Sequence, residues 1–502
     1  MPRRLTLTFG GQVSRLPPGA FCDPAPDRTL RCGMRRTKIV ATIGPASRDP
    51  DVLLRMVQAG MDVARLNFSH GTPEEHHENA RLIREAAGRA GRPVAILQDL
   101  PGPKLRLGRL EGDRVELAVG DEVTFTCGDT ETVGHHRHMT ISWGGLARGM
   151  TPGEVIYLAD GSVRLRVTAV RTEAAEIDTV VEVGGSVLSR QGVNVPGPVD
   201  ELPSVPEEDL AHLRVGEQIG VDLVALSFVR RVEDVEFLRR HTRLPLIAKI
   251  EKPQAVEAAR EIIYAADCVM VARGDLGIEL PIEEVPIVQK QLLQTAGAMA
   301  RPAITATQML DSMVASSRPT RAEVADVANA ILDGSDAVML SQETAIGRYP
   351  VDAVAMMAAI ARQTEKSAPY EHWNDVRVRR DARDPAYTVA HKVVEAAREL
   401  ALDAIVVPTL SGRSARLVSA NRPNVPIYAL SPGRETVRRC GLMWGVRAAS
   451  IRRHEVTEEL IADAVRRVAE LGWCSPGQRV AVTAGLPSGR PGTTSLMQIQ
   501  EV

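Results

Sequence analysis

Two short apolar runs near the middle of the chain end in charge. Ile247-Ala-Lys-Ile-Glu251 carries Lys249 and Glu251 to the tip of one strand-like run, and Val271-Ala-Arg-Gly-Asp-Leu-Gly277 carries Asp275 to the tip of the next. An ammonium and two carboxylates at buried strand ends are costly unless they share a metal ion or an anionic ligand. Metal-assisted work on an anion is the chemistry this suggests. The lysine is itself informative, because the chain has seven lysines against 54 arginines. A compact point charge acts differently from a planar fork. A structural Lys–Glu pair is the competing reading, and the rest of the chain weighs against it.

Something must hold those tips together. From Thr37 onward, apolar runs alternate with amphipathic stretches such as Glu74–Ala90, Val256–Ala265 and Arg321–Leu332, which is the signature of βα units around a parallel sheet. Eight runs are found: Lys38–Ile43, Asp62–Phe68, Val94–Asp99, Asp222–Phe228, Leu244–Glu251, Asp267–Arg273, Pro302–Thr307 and Asp336–Ser341. Eight is the number that closes a (β/α)8 TIM barrel, whose C-terminal rim carries catalytic groups. Polar residues recur at the ends of these runs: Asn67, Ser69 and His70, then Asp99, Ser227, Lys249, Glu251, Asp275, Thr307, Ser341 and Glu343. Each alone reads as a cap or a turn; their repetition is the argument.

More than a hundred residues separate the third and fourth runs, too many for a βα connection. That insert alternates in short stretches (Arg114–Val119, Glu122–Cys127, Glu154–Leu158, Val163–Val167) and predicts a small all-β domain, a candidate lid over the rim. A second α/β segment follows, with Thr388–Leu400, Ala404–Pro408, Arg413–Asn421, Ile427–Ala429 and Arg479–Thr483 as its elements. The expected fold class is thus α/β: a barrel over 34–104 and 203–366, interrupted by a β lid over 105–202 and followed by a C-terminal α/β domain over 367–502. Residues 1–33 are expected to be a poorly ordered extension or an over-called start, because they lack the continuous apolar core of a secretory peptide.

Composition excludes several classes. Net charge is −2 with both signs interspersed, and aromatics are 3%, so neither a basic stripe nor a stacking surface points to nucleic acid. No apolar run is long enough for a membrane span. The six cysteines are scattered without a C-x-x-C pair, which suits a reducing cytoplasm.

With these residues in hand, the chain resembles the pyruvate kinases from Arg36 to Ile499. The resemblance is carried by Thr37-Lys-Ile-Val-Ala-Thr-Ile-Gly-Pro45, Ala64-Arg-Leu-Asn-Phe-Ser-His-Gly71, Gly192-Val-Asn-Val-Pro-Gly197, Val271–Gly277, Ala306-Thr-Gln-Met-Leu310 and Arg318-Pro-Thr-Arg-Ala-Glu323, in that order. It implies phosphoryl transfer from phosphoenolpyruvate to ADP in a cytoplasmic homotetramer. Glu251 and Asp275 match the carboxylates for magnesium or manganese, and Lys249 matches the lysine that steadies the phosphoryl in flight. Arg65 matches the contact to the substrate phosphate. Gly274 and Asp275 match the backbone that receives the substrate carboxylate, and Thr307 matches a substrate-contacting threonine. Thr307 or Ser341 is expected to relay the proton that reaches the enolate, with no single acid assigned.

Asn67, Phe68, Ser69, His70 and Arg106 match the nucleotide side. The family often has lysine before Gly192, where this chain has Gln191 with Arg190 beside it; Gln342 also stands where glycine is usual. The resemblance further implies a monovalent pocket at Asn67, Ser69, Asp99 and the following residue. Here that residue is Leu100, not threonine, and Lys104 replaces a usual glutamate, so potassium is expected to be dispensable. In the C-terminal domain Thr409, Ser411, Gly412, Arg413 and Ser414 resemble the loop for a phosphorylated effector, with Gly485–Gly492 able to close over it. Two rivals stay open: a metal-dependent aldolase or lyase acting on pyruvate-like enolates, and a regulatory binding protein that keeps the barrel without the chemistry.

Overall fold

Eight short strands close into a parallel barrel: β1 (Lys38–Thr42), β2 (Val63–Asn67), β3 (Ala95–Asp99), β4 (Leu223–Val229), β5 (Leu246–Ile250), β6 (Cys268–Ala272), β7 (Ala303–Ala306) and β8 (Ala337–Leu340). The computed structural model describes residues 34–128, 131–196, 202–367, 384–485 and 494–502, and Arg35–Val502 form one unit. The expected extension, residues 1–33, lies outside the described residues.

Strands buried on both faces read as continuous apolar runs, because one face meets the helices and the other the barrel interior. In β2, Val63 joins the interior cluster with Leu97, Ile247 and Met270, while Ala64 and Leu66 join the outer cluster under the helices. Leu442 of the C-terminal segment belongs to the interior cluster too. Helix starts are written into the sequence: Thr72 with Glu75 and Thr320 with Glu323 form reciprocal caps on Pro73–Arg89 and Arg321–Leu332. The helix expected over Val256–Ala265 is instead two pieces, Pro253–Glu257 and Ala259–Ala265, because Ala258 leaves the helical region at φ −90°, ψ 17°.

The insert is built of β-sheet, seven-stranded and two-stranded, with one helical turn at Leu146–Gly149, around its own core of Phe125, Ile141, Ile156 and Leu165. The chain leaves the barrel along Leu105–Arg106 and returns along Gly192–Asn194, and these strands pair antiparallel, Arg106 opposite Gly192. A two-stranded ribbon therefore joins lid to barrel. The C-terminal domain is a five-stranded sheet in the order Val446–Ser450, Ile427–Ser431, Ala404–Pro408, Arg479–Gly485, Thr494–Glu501, with only the last strand antiparallel.

Candidate active site

Lys249 sits at the C-terminal end of β5 with its ammonium encircled. Its Nζ donates to Ser227 Oγ at 2.7 Å and lies 2.9 Å from Glu251 Oε1 and 3.4 Å from Asp99 Oδ1. Burial alone would lower the lysine pKa. The carboxylates of Asp99, Glu251 and Asp275 outweigh it and hold the group above its ordinary range, so the side chain stays cationic. Asp99 shows the converse: burial would raise its pKa, but Lys249 and Arg65 keep the carboxyl below its usual range.

Arg65, the middle residue of β2, is fixed on two sides. Its Nε donates to Asp99 Oδ2 at 2.7 Å and one Nη to Thr42 Oγ1 at 3.0 Å. The strand register explains the first contact, since Asn67 pairs with Asp99 and Arg65, two residues earlier on the same face of β2, pairs with Leu97. A guanidinium anchored this way keeps its remaining donors for an anion.

A bulge in β4 does the rest of the positioning. The register slips between Leu226 and Val229, and Phe228 adopts φ +53°, a costly left-handed conformation for that residue. The bulge turns Phe228 N–H onto Glu251 Oε2 at 2.7 Å. It also leaves Ser227 Oγ to bridge Lys249 and the Leu100 carbonyl.

Gly274 and Thr307 meet across the rim. A Cβ on Gly274 would fall 2.6 Å from Thr307 Cγ2, so only glycine fits. Thr307 and Gln308 are both at positive φ, +76° and +54°. Arg273 secures that strained turn by donating to Thr307 O at 2.7 Å while pairing with Asp326. Ser341 lies at the end of β8, where its N–H donates to Glu343 Oε2 at 2.7 Å. Among the described residues no hydrogen bond joins Ser341 to Thr307. The roles of Thr42, Phe228 and Arg273 emerge only from the folded site. Thr42 and Arg273 stand inside the quoted Thr37–Pro45 and Val271–Gly277 motifs, whereas Phe228 gives no signal before the register is known.

On the β2 side, Asn67 Oδ1 accepts from Ser69 N at 3.2 Å and shapes the turn that presents His70. Partial desolvation first, then the charges of Arg106, Lys104 and Arg65, hold the His70 imidazole below its ordinary pKa, although the residue is open to solvent on one side, so it is neutral at pH 7. Phe68 is placed differently from a nucleotide-stacking ring: it is buried and stacked on His76 with centroids 3.8 Å apart. In the lid, Arg106 donates to the Arg190 carbonyl, Arg190 is exposed, and Gln191 Oε1 accepts from Leu188 N at 2.9 Å. Lys104 reaches along the ribbon, its Nζ 3.2 Å from the place a Cβ on Gly192 would take. No carboxylate pairs with it among the described residues.

A rim lysine ringed by Asp99, Glu251 and Ser227, an arginine anchored beside it and a β lid on a ribbon narrow the family to one. Its barrel model, "Pyruvate kinase, barrel domain", matches residues 34–354, and "Pyruvate kinase, alpha/beta domain" matches 387–500. The chain belongs to the pyruvate kinase family. It is 43% identical over 474 residues to a pyruvate kinase of Geobacillus stearothermophilus, covering 93% of this chain and 80% of that one. It is 38% identical over 475 residues to one of Clostridium acetobutylicum, covering 93% and 100%. A crystal structure of a pyruvate kinase from Cryptosporidium parvum superposes with a TM-score of 0.87 at 33% identity, covering 96% of this chain and 98% of that one. This is a phosphotransferase, and the family reaction passes the phosphoryl group of phosphoenolpyruvate to ADP, leaving pyruvate.

Pyruvate kinase chemistry needs a divalent ion, and the donor set fits one that keeps part of its ligand shell for substrate. Glu251 Oε1 is buried and, despite the ammonium 2.9 Å away, accepts no well-directed hydrogen bond. Burial raises the Glu251 pKa, Lys249 opposes this and Asp275 reinforces it, so the carboxyl ends above its usual range until a cation balances it. Among the described residues no group of three or more His, Cys, Asp or Glu side chains gathers to hold a metal. Two carboxylates plus phosphate oxygens and water suit magnesium, which rarely takes an all-protein cage.

The C-terminal loop is also ordered by its own contacts. Gly412, at φ +84°, donates its N–H to Thr409 Oγ1 at 3.0 Å, and Thr436 Oγ1 donates to Leu410 O at 2.8 Å. Arg413 pairs with Asp384, Ser414 Oγ meets Thr494 Oγ1, and Ser411 is exposed. Residues 486–493, most of the expected covering segment, lie outside the described residues.

Proposed function

We propose that this chain is a magnesium- or manganese-dependent pyruvate kinase that catalyses the last step of glycolysis in the cytoplasm. Phosphoenolpyruvate gives up its phosphoryl group to ADP, forming ATP and pyruvate. The observation that carries the reading is Lys249, kept cationic among Asp99, Glu251 and Ser227 at the rim. A phosphoryl group in transfer spreads charge over its oxygens, and a fixed cation aimed there stabilises it without reorganising. In this reading Arg65 binds the phosphate before transfer, and the backbone at Gly274 and Asp275 receives the substrate carboxylate with Thr307 against it. Asn67, Ser69, His70, Arg106 and the lid residues Arg190 and Gln191 attend the nucleotide. A divalent ion held by Glu251 and Asp275 would neutralise charge on the phosphoryl and enol oxygens. The bond from phosphorus to the enol oxygen breaks as a new one forms to the terminal oxygen of ADP. The enolate then takes a proton at carbon, relayed through water by Thr307 or Ser341.

The proposed division gives the barrel 34–104 and 203–366, the lid 105–202 and a regulatory domain 367–502. Closure of the lid on its ribbon excludes water. Potassium is proposed to be dispensable. Leu100 lacks a hydroxyl, its carbonyl already accepts from Ser227, and Lys104 brings an ammonium without a carboxylate partner among the described residues to the same side as His70. A phosphorylated metabolite is proposed to act at Thr409–Ser414, in a homotetramer.

Nucleotide dependence tests the reading. Pyruvate release from phosphoenolpyruvate, followed through lactate dehydrogenase, should require ADP. Release without nucleotide would instead favour a lyase or phosphatase.

A further inference from the structure

Four guanidiniums gather where the barrel meets the C-terminal domain, far from the rim. Arg301 stands just before β7, and Arg416 stands in the helix Arg413–Ala420. Both line one cavity of ≈ 240 Å³, open solvent included, together with Ala300, Pro302 and Ser419. Arg301 donates to Tyr264 O at 2.7 Å and Arg416 to Ala300 O at 2.6 Å. Their neighbours Arg239 and Arg413 pair with Asp267 and Asp384. Among the described residues, neither Arg301 nor Arg416 has a carboxylate within 4.0 Å.

Asp336 also lines the cavity, but its carboxylate is engaged by Arg422 at 3.1 Å and by Ala303 N at 2.9 Å. Four guanidiniums thus face two carboxylates, Asp267 and Asp384, leaving an excess of two positive charges. The strain of that excess is visible in Arg416. Burial first and the Arg301 charge second bring its pKa down to about 10. Burial also lowers Arg301. Uncompensated like charges away from water are costly, and a guanidinium fork matches the oxygens of a phosphate-type anion.

We propose that Arg301 and Arg416 form a binding site for a doubly charged phosphate-like oxyanion that fastens the barrel to the C-terminal domain. The enclosed part of the cavity has room for about one water, so only a bare oxyanion or a phosphoryl tip entering from its open side would reach the guanidiniums, and a nucleotide would not fit. The Thr409–Ser414 loop does not line the cavity, although Arg413 of that loop adds its charge beside it. One side of it opens β7, the strand that runs to Thr307.

Inorganic phosphate is titrated against the full chain in chloride buffer while the thermal midpoint is followed. Tungstate of the same shape is soaked into crystals and located by anomalous scattering. The expected results are a saturable rise in midpoint and a tungsten peak between the two guanidiniums. Both should persist in Ser411→Glu, which blocks the loop. Arg416→Gln and Arg301→Gln should each remove the peak and weaken this phosphate response about tenfold or more, since each removes a charged hydrogen-bonding partner. Should Arg416→Gln fail to fold, Arg416→Lys keeps the charge and loses the fork, and should weaken binding in the same direction. Glucose 6-phosphate run in parallel separates a free ion from a phosphoryl tip. A midpoint response unchanged in both arginine variants, or a second copy's carboxylate filling the cavity in the crystal, overturns the proposal.

Discussion

Lys249 donates to Ser227 Oγ at 2.7 Å, and the same oxygen donates its hydrogen to the Leu100 carbonyl at 2.7 Å. The serine hydroxyl is therefore oriented from one side and accepts on the other. It fixes the ammonium against the drift that a four-carbon stem otherwise allows. Ser227→Ala should lower kcat by about tenfold to a hundredfold with a much smaller change in KM, because a hydrogen bond to a charged group is worth about 1.5–3 kcal/mol. An unchanged kcat would mean that the carboxylates alone hold the lysine.

Gly274 and Thr307 leave no room for a methyl group between them. Gly274→Ala should cut kcat/KM by about a hundredfold or more. Thr307→Ser removes the Cγ2 that the new methyl would strike, so Gly274→Ala with Thr307→Ser should recover much of the loss. Strictly additive losses in the double-mutant cycle would show that the clash is not the cause.

The barrel was legible because its strands are continuous apolar runs, and Ala404–Pro408 and Arg321–Leu332 were legible to the residue because caps and turns bound them. The rim residues were visible as polar ends of those runs. The β4 bulge was not visible. Phe228 at positive φ is a conformation that no local preference favours, so its N–H bond to Glu251 emerges only from the closed sheet. Arg273 could be quoted in a motif but not given a task, since Thr307 is 34 residues away in sequence. The strands Val446–Ser450 and Thr494–Glu501 escaped notice because both lie at the edges of their sheet, where half-exposed positions blunt the apolar pattern.

Asp209 titrates where the lid ribbon begins. Its Oδ2 accepts from Gly102 N at 3.0 Å, and burial pushes the carboxyl up to about 7, helped by Glu208 and Asp99 and opposed by Gly102 N–H and Lys249. The unfolded chain releases that proton near pH 4. Between about pH 4 and 7 the native state holds a proton that the unfolded state lacks, so stability falls as pH rises and levels off above 7. Asp209→Asn keeps the acceptor and should flatten that segment of the Tm-against-pH curve. Parallel curves for the two proteins would contradict the burial argument.

Lys104 tests the monovalent reading. Activity should persist in a potassium-free buffer with a bulky organic cation, and Lys104→Glu should acquire a potassium requirement. Strong potassium activation of the unmodified enzyme would remove the lysine from that role.

Lys249 is proposed to act on the phosphoryl group in flight. Rapid-quench single turnovers of Lys249→Ala, with phosphoenolpyruvate and ADP saturating, measure that step directly. The transfer rate should fall at least about a thousandfold, with phosphoenolpyruvate binding changed by no more than about tenfold, since only the charge developed in transfer loses its partner. Glu251→Gln run beside it should instead weaken Mn²⁺ binding, read by the paramagnetic signal of the ion without turnover. Near-normal transfer in Lys249→Ala, or a loss wholly explained by weaker substrate binding, would contradict the account.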